Sequence, residues 1–159
     1  MRTALALILS ALVITLPAEG ASRSESKALT IRLVSITTKF KVLVDKPPKR
    51  EYGKGDVISA KSTLRNEVAQ FGKAKGAIVG HDVSTFTVVS ATTGDVKLTA
   101  TLPGGTLRAA GRIGQQEKVE RIPVRGGTGA FAGARGVEET SALGASGLRA
   151  RNVYRLQLP

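Results

Sequence analysis

The sequence predicts an all-β protein, an eight-stranded antiparallel closed barrel with short hairpin connections. Three observations lead there. Apolar side chains recur with period two over long stretches, as on a strand with one dry face, and no stretch holds a helical stripe. Turn-forming pairs such as Gly94-Asp95, Pro103-Gly104 and Gly126-Gly127 divide those stretches at hairpin spacing. The first strand is apolar on both faces, with Leu29, Ile31 and Leu33 against Val34 and Ile36. Such a strand suits a closed barrel packed against something outside, or the centre of a sandwich. Closure also removes exposed edges.

The elements follow in order. Residues 1–20 stand apart from the rest. Arg2 precedes 13 apolar or small residues at 4–16, and Ala18 and Gly20 fill the small positions before a cut. A charged start, a short greasy run and small residues describe a secretory signal peptide. The expected cut lies after Gly20. The run is short of the roughly 20 apolar residues that span a bilayer, so no transmembrane anchor is expected after cleavage, and the expected location is extracellular. Residues 21–159 then form one domain.

Its strands are expected at 28–38, 56–65, 74–82, 84–91, 95–102, 105–113, 118–125, 132–141 and 148–158, eight or nine in all. Alternation is clearest in three of them. Val96, Leu98, Ala100 and Leu102 share one face. So do Leu107, Ala109, Gly111 and Ile113, and, near the end, Leu148, Ala150, Asn152, Tyr154, Leu156 and Leu158. Residues 45–55 read as a long basic loop, because Pro47-Pro48 donates nothing to a ladder. Residues 66–72 are the one helical candidate, a single turn.

Composition excludes several function classes. With no cysteine there is no disulfide, thiolate metal site or thiol nucleophile. One histidine leaves no two-histidine metal site, and neither a metal nor a cofactor is expected. Six aromatics are too few for a stacking platform along single-stranded nucleic acid, which makes nucleic acid an unlikely partner. The net charge is +12 and remains so when Arg2 and Glu19 leave with the signal. Arg149, Arg151 and Arg155 share one strand face, Arg108 and Arg112 another, and Lys46, Lys49, Arg50 and Lys54 crowd the basic loop. Clustered cations draw an anionic surface polymer; equally, they keep an exported protein soluble.

Three places invite chemistry. His81 and Asp82 adjoin in a strand, so they point to opposite faces and cannot pair with each other. One of them faces the interior. Asp56, after Gly53-Lys54-Gly55, reads first as a turn or capping carboxylate. The eleven-residue glycine-rich run 126–136 has neither Walker nor dinucleotide spacing, and its glycines fit a tight bend.

Three segments together resemble the allene oxide cyclase barrel family, relatives of the plant dirigent proteins, and its secreted bacterial branch in particular. They are Gly55-Asp56-Val57-Ile58, the span from Val79-Gly80-His81-Asp82 through Phe86, and Gly126-Gly127-Thr128-Gly129-Ala130-Phe131-Ala132-Gly133-Ala134-Arg135-Gly136. The resemblance implies an eight-stranded barrel with an apolar lumen, commonly a trimer, and an apolar small-molecule ligand whose cyclisation or stereochemistry the lumen guides. Asp82 is the first catalytic candidate, with His81 and Asp56 next. Ser35, Phe86 and Arg65 are the ligand-binding candidates, Phe86 standing where the family has a lumen cysteine. The first strand departs from the plant cyclases in having no carboxylate or amide over residues 28–44.

Overall fold

The computed structural model describes residues 26–47, 52–114 and 117–159. The signal segment 1–20 and residues 48–51 of the basic loop lie outside the described residues. Eight strands run in chain order: β1 (Lys27–Val44), β2 (Val57–Asn66), β3 (Ile78–Val88), β4 (Thr93–Leu102), β5 (Gly105–Gly114), β6 (Glu120–Gly127), β7 (Arg135–Ala142) and β8 (Arg149–Leu158). Each pairs antiparallel with the next, and β1 pairs with β8 to close the barrel. The expected fold is therefore the observed one.

Two local expectations change. Residues 74–82 and 84–91 are not two strands. Asp82 points in, Val83 out and Ser84 in again, so alternation never breaks, and His81–Val88 pairs without interruption to β4. Residues 66–72 form no helix. Asn66 ends β2, and its Nδ2 donates to the carbonyls of Gln70, Lys73 and Ala74 at 2.8, 3.0 and 3.3 Å, folding the loop around one amide. Among the described residues the one helical turn lies instead at Gly129–Phe131.

The two ends of the barrel differ. One end is a floor. Phe131, in that helical turn, is 3% exposed and packs with Leu33, Leu64, Leu102 and Leu107. The glycine-rich run stitches this floor shut. Thr128 N donates to the Thr106 carbonyl at 2.9 Å, Ala130 N to the Gly104 carbonyl at 2.8 Å, and the hydroxyls of Thr106 and Thr128 meet at 2.8 Å. The run is a structural bend, as its glycine spacing suggested.

The other end is a mouth. β1 pairs with β8 only from Lys27 to Ile36, while it follows β2 out to Val44. Among the described residues, no strand neighbours the β8 side of β1 beyond Ile36. Phe40 and Val42 pair with Ala60 and Ile58 and so keep the lumenal face, yet they are 54% and 38% exposed because the wall beside them is missing. Lys39 and Lys41 alternate outward along the same edge, a common means of blunting an open strand.

Candidate functional site

Cross-strand register places the interior polar groups. Ser62, Asp82 and Ala100 are successive partners across β2, β3 and β4. Ile31, Tyr154, Glu138 and Ile122 are successive partners across β1, β8, β7 and β6. Directly paired residues share a face. Asp82, Glu138 and Tyr154 all point into the lumen, and all three are buried. Asn152 and Thr140 lie two residues further toward the mouth, the Thr140 hydroxyl donating to Asn152 Oδ1 at 2.9 Å.

Burial sets the electrostatics. A carboxylate moved from water into apolar surroundings holds its proton more tightly. Desolvation pushes Asp82 up to about 6, with the Ser62 hydroxyl beside it and, more weakly, His81 acting the other way. Desolvation pushes Glu138 up to about 8; the neighbouring Tyr154 hydroxyl opposes that rise and the charge on Asp82 adds to it. Burial, then Glu138 and Asp82, hold the Tyr154 hydroxyl well above its ordinary value, so it remains a phenol. Glu138 and Tyr154 adjoin without closing a direct hydrogen bond. Among the described residues, Glu138 Oε2 and Tyr154 Oη have no hydrogen-bond partner. Two buried polar atoms thus adjoin in the lumen with hydrogen-bonding capacity unused.

The named candidates separate. Asp82 is interior, 3% exposed. His81, its neighbour, lies on the outer face, exposed to solvent, and is not part of a lumenal site. Asp56 is buried at the mouth, but both oxygens are taken: Oδ1 accepts from Lys46 N at 2.7 Å and Oδ2 from Gly53 N at 2.8 Å. Those amide hydrogen bonds hold its carboxyl below the usual range. A carboxylate so held ties a loop and is unsuited to accept a proton.

Ser35 is lumenal and buried, its hydroxyl facing the Ala150 carbonyl at 3.5 Å. Phe86 is lumenal too, lying against Gly94 so closely that a Cβ there would meet the ring at 2.0 Å. Arg65 is not lumenal. It pairs with Val34 on the outer face and donates from Nη1 to the Gly76 carbonyl at 2.9 Å, bracing the β2–β3 loop. Glu138 and Tyr154 were not among the sequence candidates. Toward the mouth the inward side chains are apolar: Phe40, Val42, Phe86, Leu98 and Ile113. Among the described residues no group of His, Asp or Glu converges as a metal site.

Several solved structures share the architecture. A pyocyanin demethylase superposes with TM-score 0.65 at 19% identity, covering 80% of this chain and 99% of that one. A pterocarpan synthase dirigent protein gives 0.65 at 20% identity, covering 84% of each chain. A Diels–Alderase from Streptomyces koyangensis gives 0.64 at 17% identity, covering 92% of this chain and 84% of that one. At these identities the likeness is one of fold. No curated protein matches the sequence. The family model for dirigent-like proteins does match, over residues 24–158, so the barrel, its floor and its interior carboxylates lie within one homologous unit, and the protein belongs to the dirigent-like family.

Proposed function

We propose that this barrel admits an apolar small molecule through its mouth and guides its cyclisation or stereochemistry, as an isomerase or cyclase of the allene oxide cyclase type. The observation that carries this reading is the separated pair of lumenal carboxyl groups. Their titrations lie on either side of neutrality, near 6 for Asp82 and near 8 for Glu138. Near pH 7 the pair holds one proton, on Glu138. Asp82 is then available to remove a proton and Glu138 to donate one, the division of labour that environment imposes on paired carboxylates. A reaction that takes one proton from its substrate and returns one leaves no net charge behind, as an isomerisation requires. Tyr154 and Glu138 Oε2 would receive the substrate's polar end. The apolar wall would hold a folded conformer and exclude water, the largest contribution a shaped cavity makes to ring closure. Two of the similar structures support this reading, one being a dirigent pterocarpan synthase and another a Diels–Alderase.

We further propose export with cleavage after Gly20, and assembly as a trimer. The outer face of β1 carries half-buried Val34 and Ile36. Covering one such side chain is worth roughly 1.5–3 kcal/mol if it becomes fully buried.

Native mass spectrometry of the protein recovered from its host's culture medium tests these together. The expected species is a multimer of chains beginning at Ala21 that releases an apolar small molecule on unfolding. A bare monomer that retains Met1 would contradict all three. Asp82→Asn tests the chemistry. Turnover of the released molecule, or of its precursor, should fall on the order of 10²–10⁴-fold, the usual contribution of a positioned base. The melting temperature should stay within a few degrees. An unchanged rate would remove Asp82 from the mechanism.

A further inference from the structure

The outer wall carries a concavity that the lumenal reading does not use. It lies across β3, β4, β5 and β6, encloses about 480 Å³, and is edged by Lys97, Arg108 and Arg125 with Thr85 and Thr99 between them. It exists because Ala110, directly opposite Lys97 in the ladder, is small. Arg125 crosses beside it, its Nε donating to the Ala110 carbonyl at 3.4 Å. A shallower hollow continues along the same face to Arg112, sharing Lys97, Ala110 and Arg125. At the other end Arg108 and Arg135 both reach the space over Gly126; a Cβ there would lie 4.0 and 3.4 Å from their guanidinium nitrogens. From Arg112 to Arg108 the track follows β5 for about 13 Å at strand rise.

The described acids leave the cations of this groove unmatched. Five other outer-wall arginines have carboxylate partners. Glu67 takes Arg32 and Arg151, Glu139 takes Arg121 and Arg155, and Asp95 takes Arg112 through two hydrogen bonds. Asp82 and Glu138 are inside the barrel. Among the described residues, none of Lys97, Arg108 and Arg125 has a carboxylate partner. Three cations with one sign of charge, converging on a groove between low-dielectric walls, focus the field more than the same charges spread over a convex surface.

We propose that this groove is a binding site for an acidic polysaccharide, one bearing sulfate or uronate groups. Charge complementarity requires a polyanion. The threonine hydroxyls beside the cations suit the hydroxyls of a sugar chain. The groove contains no aromatic ring on which nucleic-acid bases could stack, and its one exposed aliphatic side chain, Val83, offers little to a bilayer. A second copy of this chain, itself at +12, brings no general charge attraction. The site would tether the barrel to an anionic matrix while the mouth stays open to its ligand.

The test is binding of a heparin hexasaccharide to the full barrel by calorimetry. Wild type is compared with Lys97→Gln/Arg108→Gln/Arg125→Gln and with the charge-matched triple Lys27→Gln/Lys39→Gln/Lys41→Gln, which removes three exposed cations from β1, outside the groove. The groove triple should lose at least tenfold in affinity and the control less than threefold, and wild-type binding should weaken as salt rises from about 50 to about 200 mM. Circular dichroism and melting establish that both variants fold. Equal losses in the two triples would reduce the attraction to net charge and overturn the site. Tighter binding of a single-stranded oligonucleotide of equal charge would overturn the polysaccharide assignment. Dissociation of an oligomer by the groove triple alone would make the groove a contact between copies instead.

Discussion

Replacing Gly136 with alanine is expected to leave no folded barrel. A Cβ at that position would lie 1.9 Å from the Arg155 carbonyl oxygen and 2.9 Å from its carbon, both backbone atoms of the paired strand β8. Neither can withdraw without opening the β7–β8 ladder, in which Gly136 pairs with Leu156. The residue also sits at φ +146°, where side-chain-bearing residues are strained. Strain of this kind alone costs roughly 1–3 kcal/mol, and the clash adds to it. Domains of this size hold only about 5–15 kcal/mol in total. Gly144→Ala is the control. It too has a positive φ, +84°, but nothing lies within 4 Å of its added Cβ. It should cost about 1 kcal/mol or less and lower the melting temperature by only a few degrees. Circular dichroism and soluble yield read the contrast. If Gly136→Ala melted no lower than Gly144→Ala, close backbone approach would not be the reason for glycine in this run.

The same run shows what the sequence could and could not reveal. Glycine density and the lack of a phosphate-loop spacing pointed to a bend. Which glycines face backbone and which face space depends on partners some twenty residues away, such as Gly105 against the Thr128 carbonyl. The closed barrel was legible because alternation and turn pairs are local signals. The single strand β3 was harder, since Thr85 and Phe86 extend a run that has no turn residue to mark or deny a break at Val83. Inward positions were legible on β8, where Tyr154 shares a face with Leu156 and Leu158. They were not legible on β7, where Val137-Glu138-Glu139-Thr140 shows no alternation. Two adjacent glutamates look alike in sequence. Only the ladder separates Glu138, 1% exposed beside Tyr154, from Glu139, which faces Arg121 and Arg155 on the outer wall. His81 and Asp82 differ in the same way: parity foretold that one would be interior, and the register with Ser62 selects Asp82.

Glu138→Gln is expected to stabilise the barrel in alkali while slowing its chemistry. Glu138 is raised from 4.5 to about 8 and Asp82 from 3.8 to about 6. Because both values are raised on folding, the folded state binds protons more tightly than the unfolded chain. The associated stability is complete below the unfolded values, near pH 4, and is lost as pH rises through about 6 and then about 8. For Glu138 alone the shift corresponds to roughly 3–5 kcal/mol, or a melting temperature lower by on the order of 10 °C at pH 9 than at pH 5. Glutamine keeps the shape and never ionises, so the variant should match wild type near pH 5, exceed it at pH 9, and retain only the gentler slope due to Asp82. If Glu138 supplies the proton in ring closure, the variant also loses turnover at pH 7, where it is already the more stable protein. That combination separates a catalytic acid from a structural group, whose loss would lower stability and activity together. A wild-type melting temperature that is flat from pH 5 to pH 9 would mean that Glu138 is not held protonated. The division of roles between the two carboxyl groups would then fail with it.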